Sequence, residues 1–398
     1  MDVTALKSER VRIALRPKMQ EIARRVQLIR EQDIGMMGGL WQRAEQSFRK
    51  NGVGIYFVKD AAEARRVVGK LVGTGPVVKS KTNVGREIGI VEFLRGRGVK
   101  VTDTDCGDFL VDMMKQKAVH PVTPALDLDL KKVAEKLKCK GDGKSIKEAV
   151  RKKLESEFGK AKVGIIGANF VSADGAVMLI ENEGNIGKVL GMKKLVVVTS
   201  LEKIVGSHQE GLECLLAQSR FATNRVGKFI HIIGGPSGTG DLGEYQQGMH
   251  GAEEMHIVVV DNGRSELLKD EGKRDILKCI NCGLCVLACP VFPNVGLEQS
   301  GMRGVVIESE AVGDEKLKEV WKCTGCGLCA RICPAGIDLR GIAVVVRKKL
   351  VEHGHQTEGN QVMMKSIGES GDTLGKKAGG VGEDEGRKGG GADFTYCC

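Results

Sequence analysis

Apolar and polar positions alternate along residues 54–260 in a way that predicts strands and helices in turn. Short runs rich in β-branched residues recur, and between several of them apolar residues fall at helical spacing. The predicted strands lie at residues 54–58, 77–79, 99–102, 163–166, 176–180, 195–199, 229–233 and 256–260, and the predicted helices at residues 61–71, 86–95, 128–138 and 146–158. This alternation favours an α/β fold with a mainly parallel sheet covered by helices.

The segment before the first strand has helical periodicity. Apolar residues near one face of residues 9–31 are Val11, Leu15, Ile22, Val26 and Ile29. Pro17 is expected to begin a second helix, because proline is tolerated in the first turn of a helix. An amphipathic helix here predicts a segment that docks against the following domain.

Changes in composition divide the chain into four predicted parts. A helical docking segment covers residues 1–39, and the α/β domain covers residues 40–266. A cysteine-rich domain follows at residues 267–355, with helices expected at 314–322 and 339–352. Glycine and charged residues dominate residues 356–398 without apolar periodicity, which predicts a disordered tail.

Two nearly identical cysteine runs lie in the third part. Both read C-x2-C-x2-C-x3-C-P, and their cysteines are Cys279, Cys282, Cys285 and Cys289, then Cys323, Cys326, Cys329 and Cys333. This run holds a [4Fe–4S] cluster, and in two-cluster proteins its fourth cysteine ligates the other cluster. We therefore predict two clusters, with Cys333 completing the first set and Cys289 completing the second. Two neighbouring clusters predict a protein that moves electrons.

Two other uses of these cysteines fit the spacing less well. Structural zinc sites need paired cysteines or histidines, but not a third cysteine at the same spacing. Disulfide frameworks are typical of secreted domains, and the N-terminus has no apolar signal segment. No run is long and apolar enough for a membrane span, so we expect a cytoplasmic protein.

The 398-residue chain carries a formal net charge of +10, which raises the question of an anionic partner. Its basic residues are spread among acidic ones without an aromatic-interleaved stripe, which argues against nucleic-acid binding. The glycine-rich loop at residues 234–240 lacks the Gly-Lys-Ser/Thr ending of a phosphate-binding loop. No G-x-G-x-x-G opens a helix after the first strand, so no bound NAD or FAD is expected.

A polar loop after the strand at residues 176–180 is the main candidate for substrate chemistry. Glu183 is a candidate general base, and Asn182 and Asn185 are candidates for orienting a substrate carboxylate. Lys81, near another strand end, could supply positive charge for the same carboxylate. The alternatives are a tight turn without a ligand and a helix N-terminus with ordinary solvated charges.

Arg264 and Cys106 are assigned structural roles. We expect Arg264 to anchor the cysteine-rich domain through pairs with Asp or Glu side chains. Cys106 lies between two aspartates, which disfavour its thiolate, so it is expected to behave as a buried apolar residue.

Several motifs resemble the LUD-domain family. They are Gly167-Ala168-Asn169-Phe170, Ser80-Lys81 with Glu87, and the segments at residues 103–109, 180–185 and 260–265. The order of an α/β domain and then two cysteine runs is similar to that of the iron–sulfur subunits of L-lactate utilisation complexes. Residues 319–340 resemble the helical ferredoxin module of heterodisulfide reductase and succinate dehydrogenase iron–sulfur subunits.

The resemblance implies a fold like the NagB/RpiA/CoA-transferase group and a role in oxidising lactate to pyruvate without NAD. It also implies a cysteine-rich, CCG-type oxidoreductase subunit as partner, together with a further LUD-domain subunit. Cys106 stands where the family commonly has leucine. The alternative function is a non-catalytic electron-transfer scaffold that feeds a heterodisulfide-reductase-like complex.

Overall fold

A computed structural model describes residues 3–116, 124–125, 128–291 and 301–373. The chain begins with three helices, which are α1 (Val3–Ala14), α2 (Pro17–Gly35) and α3 (Met37–Lys50). As the sequence predicts, Pro17 is the first residue of α2. The predicted boundary between residues 39 and 40 falls inside α3, which continues without a break.

The main sheet has six strands in the order β1-β12-β7-β4-β2-β3, and all of its pairs are parallel. Its strands are β1 (Gly54–Val58), β2 (Val77–Lys79), β3 (Val101–Asp103), β4 (Val163–Ile166), β7 (Lys194–Ser200) and β12 (Glu254–Val260). Successive side chains point to opposite faces, so Val196 and Val198 join one buried core while Val197 joins another. Burial on both faces explains the continuous apolar runs in the sequence.

A second, four-stranded sheet has the order β8-β5-β6-β9. Its strands are β5 (Phe170–Ser172), β6 (Ala176–Glu181), β8 (Ile204–Val205) and β9 (Phe229–Ile233). Strands β5 and β6 pair antiparallel, as do β6 and β9. The connection between β5 and β6 is too short for a parallel crossover, and Gly175 turns it with φ +93°. Two strands that the sequence pattern groups with the parallel sheet therefore lie outside it.

Helices cover both faces of the main sheet and extend beyond its edge. They are α4 (Ala61–Val72), α5 (Asn83–Glu87), α6 (Ile90–Gly96), α7 (Cys106–Met114), α8 (Leu130–Leu137), α9 (Gly143–Lys160), α10 (Asn185–Leu190) and α11 (His208–Thr223). The single helix expected at residues 86–95 is two helices, because Gly89 takes a left-handed φ of +63° between them. A short antiparallel hairpin of two-residue strands, β10 (Gly238–Thr239) and β11 (Gln246–Gln247), begins inside the glycine-rich loop.

The cysteine-rich domain is helical, with short 3-10 turns before both cysteine runs. Its α-helices are α12 (Arg264–Leu267), α13 (Leu284–Ala288), α14 (Gly301–Val312), α15 (Asp314–Leu317), α16 (Leu328–Arg331) and α17 (Leu339–Glu352). A further helix, α18 (Glu358–Ser370), corrects the prediction of disorder from residue 356. Thr357 caps α18 through a bond to the Asn360 amide, a local signal that composition alone does not register. The rest of the tail lies outside the described residues.

Helix α2 joins the two domains through one fully buried arginine. Arg30 forms an ion pair with Asp33 at 2.9 Å on its own helix. Its guanidinium also donates to the backbone carbonyls of Glu202 in the α/β domain and of Leu277 and Lys278 in the cysteine-rich domain. Arg30 thus holds the backbone just before the first cysteine run.

A buried charge network makes a second connection between the domains. Arg264 pairs with Glu87 at 2.7 Å and with the fully buried Glu202. Arg303, on α14 of the cysteine-rich domain, pairs with the same Glu202 at 2.7 Å. Burial opposes the charge on Glu202, but Arg264 and Arg303 hold its pKa at about 2. Arg264 therefore takes the anchoring position that the sequence analysis expects.

Among the described residues, no helix combines the length and the apolar character that a membrane crossing needs.

Candidate functional site

A cleft of about 280 Å³ opens at the carboxyl edge of the main sheet. Lys81, Asp105, Gly167 and Lys203 line it, and these residues follow β2, β3, β4 and β7. Ligands of open α/β sheets bind at this edge. The loop after β6 completes the wall, although β6 itself belongs to the second sheet.

All four of the predicted substrate residues line this one cleft, namely Lys81, Asn182, Glu183 and Asn185. The Asn185 amide donates to the Thr104 hydroxyl at 3.0 Å, which fixes its orientation. Their shared location agrees with a substrate site, while their roles toward a substrate remain predictions.

Glu183 has the environment of a proton acceptor that is more basic than an exposed glutamate. Its Oε2 accepts from the Cys106 backbone N–H at 3.2 Å. Burial and the nearby Asp105 raise the pKa of the carboxyl above its usual range, although Lys81 acts in the opposite direction. The proton on Glu183 is therefore held to a higher pH than in solvent.

Lys81 faces carboxylates as well as the cleft. Its Nζ lies 3.8 Å from Asp105 and 3.7 Å from Asp108. Asp105 and Asp108 already balance part of the charge of Lys81, so its attraction for the carboxylate of a ligand is reduced.

Lys203 is a cleft residue that sequence reasoning missed. It follows β7 in a 3-10 turn and is buried, and its Nζ donates to the Ala168 carbonyl at 2.6 Å. Burial lowers the pKa of the amine to about 8, against the attraction of the adjacent Glu202. A single lysine after an apolar strand carries no motif, so only the tertiary structure identifies it.

Glu181, at the end of β6, is a second missed residue of the cleft. Its carboxylate accepts from the amides of Ile186 and Gly187 at the start of α10. His231 on β9 lies 2.9 Å from the same carboxylate. These contacts hold the polar loop between β6 and α10 in place.

The cleft reaches the first cysteine run through hydrogen-bonded amides. Asn169 donates to the Gln218 side chain at 2.7 Å, and Gln218 donates to the Asn281 carbonyl at 3.4 Å. Asn281 lies between two of the cysteines, and its own N–H donates to Cys279 Sγ at 3.3 Å. All three amide side chains belong to residues that line the cleft. The wall of the cleft is thus also part of the loop that carries the first cysteine run.

The thiols of the first run have the surroundings expected of the first predicted cluster set. Burial and the neighbouring Cys282, Cys279 and Cys333 raise the pKa of Cys285 well above its usual value. Burial and Cys279 likewise raise the pKa of Cys333 to about 11. The last cysteine of the second run therefore lies among the first three cysteines of the first run.

The second run shows the reciprocal arrangement. Burial and Cys323 raise the pKa of Cys329 to about 12, and Cys326 and Cys289 act in the same direction. These four cysteines line one cavity, and the Gly325 N–H donates to Cys323 Sγ at 3.4 Å. The crossed proximity agrees with the predicted ligand sets, which themselves remain a prediction.

The loops around the thiols direct backbone N–H groups toward sulfur. Asn281, Gly283, Gly325 and Gly327 take left-handed φ values. The backbone N–H groups of Asn281 and Gly325 point to cysteine sulfur. Within the described ranges, no three Cys, His, Asp or Glu side chains are placed to hold one metal ion. Thiols spread around a cavity, with amides directed at them, are the donor set that a [4Fe–4S] cluster uses.

The two runs differ in their exposure. In the first run Cys282 is buried and Cys279, Cys285 and Cys289 are partly buried, beside the cleft. In the second run Cys326 is exposed. The first run is therefore the more buried of the two, and the second has one thiol at the surface.

Comparison with protein families matches two parts of the chain. Residues 41–260 match the family described as LUD domain. Residues 275–337 match the 4Fe-4S dicluster domain, which indicates iron–sulfur clusters in this region. The predicted fold class, an α/β LUD domain followed by a helical dicluster domain, is confirmed.

Several curated proteins are similar in sequence. "Uncharacterized electron transport protein YkgF" of Escherichia coli (strain K12) is 31% identical over 67% of this chain and 57% of that protein. "Lactate utilization protein B" of Exiguobacterium sp. is 32% identical over 65% of this chain and 55% of that protein. "Lactate utilization protein B 2" of Bacillus mycoides is 32% identical over 69% of this chain and 58% of that protein. The chain thus spans little more than half the length of the curated relatives that it matches.

One solved structure is also similar. It is the crystal structure of a DUF162 family protein from Deinococcus radiodurans, with 12% identity and a TM-score of 0.32. The match covers 56% of this chain and 98% of that protein.

Proposed function

This chain belongs to the LUD domain family, and on that premise we propose that it is the electron-transfer subunit of a complex that oxidises L-lactate, or a related 2-hydroxy acid, without NAD. Two of the similar proteins carry the name lactate utilization protein B, which supports this substrate class. A cysteine-rich subunit is the partner that we propose, with a further LUD-domain subunit as a second component.

The observation that carries the proposal is the position of Asn281. It lines the cleft of the α/β domain, and it belongs to the loop that carries Cys279 and Cys282. A substrate in this cleft would lie against a cluster-binding loop, so electrons have a short path from one to the other. A cleft with an unrelated purpose gives no reason for this shared wall.

The cleft offers carboxylate-binding groups and one base for this oxidation. Conversion of a 2-hydroxy acid into a 2-oxo acid removes two electrons and two protons. Lys81, Asn182 and Asn185 would bind the carboxylate, and Glu183, whose pKa is raised, would accept the hydroxyl proton, while the proton from C2 would leave to solvent. When bound, the clusters accept electrons one at a time.

The difference in exposure between the two cysteine runs supports a direction of electron transfer through the protein. The first run adjoins the cleft, whereas Cys326 of the second run is exposed. We assign the first site to exchange with the cleft and the second to exchange with the partner subunit.

The test is electron paramagnetic resonance (EPR) on the anaerobically purified native complex, before and after addition of L-lactate. We expect signals of reduced clusters to appear with L-lactate and not with acetate, which lacks the hydroxyl group. If dithionite reduces the clusters and L-lactate does not, the result contradicts the substrate assignment. The assignment of the cofactors would still hold.

A scaffold that transfers electrons without a substrate site is the second candidate. It is favoured by Lys81, whose charge already faces Asp105 and Asp108. The variant Glu183→Gln separates the candidates, because it retains the shape of the side chain and removes its basicity. We expect a loss of at least about a hundredfold in turnover with L-lactate if Glu183 is the base. Unchanged turnover would favour the scaffold.

A further inference from the structure

A second cavity, of about 520 Å³, lies at the mouth of the cleft. Asn182 and Thr223 line both the cavity and the cleft. The two spaces are therefore neighbours, and one molecule could extend from the first into the second.

Three cations from two separate parts of the chain line this outer cavity. Arg10 comes from α1, and Arg225 and Lys228 come from the segment between α11 and β9. None of the three forms an ion pair with any residue that the structure describes. Glu9, the acidic residue of the cavity, is exposed, as are Arg225 and Lys228, while Arg10 is partly buried.

Arg10 is the least satisfied of the three cations. Its Nη1 is buried and has no hydrogen-bond partner among the described residues. Burial lowers the pKa of the guanidinium; the neighbouring Glu9 opposes this effect, and the like charge of Arg225 adds to it. Buried guanidinium N–H groups are normally paired, and unpaired ones cost free energy. An anion between Arg10 and Arg225 would give the buried Nη1 of Arg10 an acceptor and would offset the repulsion between the two guanidinium groups.

We propose that Arg10, Arg225 and Lys228 form a binding site for an oxyanion, a carboxylate or a phosphate, carried by the substrate itself. The substrate would then be a 2-hydroxy acid with a second anionic group, its reacting end in the cleft and its far end in the outer cavity. This assignment of the substrate rests on the proposed function. Guanidinium groups suit such oxyanions because they can donate two parallel hydrogen bonds.

The shared lining residues are the reason for placing the anion on the substrate. A site for a free anion has no need to adjoin the cleft. A longer substrate, in contrast, uses both spaces, and its second charge would also be attracted toward the mouth before binding.

The test is isothermal titration of the full-length, cluster-loaded protein under anaerobic conditions with three probes. The probes are L-lactate, L-2-hydroxyglutarate, which adds a distal carboxylate, and inorganic phosphate. We expect L-2-hydroxyglutarate to bind at least about tenfold more tightly than L-lactate, a difference of about 1.4 kcal/mol. The variants Arg10→Gln and Arg225→Gln should each reduce this ratio severalfold.

Two matched variants control for loss of positive charge alone. They are Arg12→Gln and Arg24→Gln. Arg12 lies on α1 near Arg10, and Arg24 lies on α2. Both arginines are exposed and line neither the cleft nor the outer cavity. We expect the wild-type ratio in both controls. Equal binding of all three probes to wild type and to the cavity variants would overturn the proposal.

The phosphate probe separates failure of the site from failure of the proposed function. If neither hydroxy acid binds but phosphate does, and Arg225→Gln abolishes phosphate binding, the oxyanion site stands while the substrate class falls. If L-2-hydroxyglutarate binds no more tightly than L-lactate and phosphate does not bind, the outer cavity is not an anion site.

Discussion

Lys203 is the single residue whose environment bears most directly on the chemistry of the cleft. Its amine is buried, and its pKa is lowered to about 8. The amine is therefore charged below about pH 8 and becomes neutral above it, whereas an exposed lysine stays charged to a much higher pH. An anion bound near this amine loses a favourable charge as the pH rises through this value.

We predict that L-lactate binds the oxidised protein less tightly at about pH 9 than at about pH 7, because Lys203 loses its proton between them. Isothermal titration at both pH values measures this difference. The variant Lys203→Met should bind more weakly at the lower pH and show a flatter dependence. Lys188→Met, which alters a lysine outside the cleft, serves as the control. Equal slopes for wild type and Lys203→Met would contradict the prediction.

At the scale of single residues, the sequence predicted those cleft residues that belong to a recognisable local pattern. Asn182, Glu183 and Asn185 stand in a polar loop after a strand, and Lys81 also follows a strand. All of them line the cleft. Lys203 and Gln218 belong to it as well, but each is a single polar residue, one in a 3-10 turn and one in a helix. Only the packing of β7 and α11 brings these two side chains to the cleft.

Among the elements, α2 does more than its amphipathic pattern predicts. The pattern indicates an apolar face for docking; Val26 of that face is buried, and Ile22 and Ile29 are partly buried against the core. Arg30 interrupts the pattern, and from the sequence it reads as a solvated charge. Its guanidinium instead bonds carbonyls of both domains. A buried arginine can be recognised only when its partners, far away in the chain, are known.

We predict that Arg30→Gln destabilises the protein strongly. The change leaves Asp33 buried without its ion-pair partner and deprives the Leu277 carbonyl of its donor. Breaking a buried pair in this way costs about 3–5 kcal/mol. Thermal unfolding, followed together with loss of the visible absorbance of the clusters, measures the effect. Arg24→Gln, at an exposed position of the same helix, should leave both transitions unchanged.

A second set of outcomes would contradict the role of α2 in holding the first cysteine run. If Arg30→Gln unfolds at the wild-type temperature and keeps its clusters equally long, α2 does not hold the first cysteine run in place. A normal unfolding temperature with faster loss of the clusters would limit its role to the backbone before Cys279.

The strands show that the pattern of residue types predicts where a strand lies but not which sheet it joins. Strands β1, β2, β4 and β9 have the bounds that the sequence predicts. Their partners do not follow from the same signal, because a β-branched run is compatible with either sheet. Strands β6 and β9 lie in the second sheet, since a tight turn at Gly175 forces β6 back along β5. Helices α3 and α11 were missed, although both are longer than ten residues, with 14 and 16 residues.

For the whole molecule, the decisive feature is the order of sites from the inside to the surface. The cleft, the first cysteine run and the second run follow each other, with Asn281 at the first junction and the crossed Cys333 and Cys289 at the second. Spacing alone predicts two crossed cluster sites. It does not predict which of the two adjoins the α/β domain, because that depends on how the domains pack.

This order predicts opposite phenotypes for two cysteine variants of the proposed complex. Cys285→Ser removes a thiol from the first site, so L-lactate should no longer reduce the second cluster, whereas dithionite still should. Cys326→Ser removes the exposed thiol of the second site, so L-lactate should still reduce the first cluster while transfer to an external acceptor stops. EPR after each reductant, together with acceptor reduction, distinguishes the two patterns.

Cys214→Ser is the matched control for these variants, because Cys214 is buried in the α/β domain, far in sequence from both runs. It should retain both cluster signals and acceptor reduction. Circular dichroism of each variant checks that the helices and strands remain. If Cys285→Ser still passed electrons from L-lactate to the second cluster, the cleft would have to reach that cluster directly. Such a result would reverse the assigned order, and the contact through Asn281 would then be structural only.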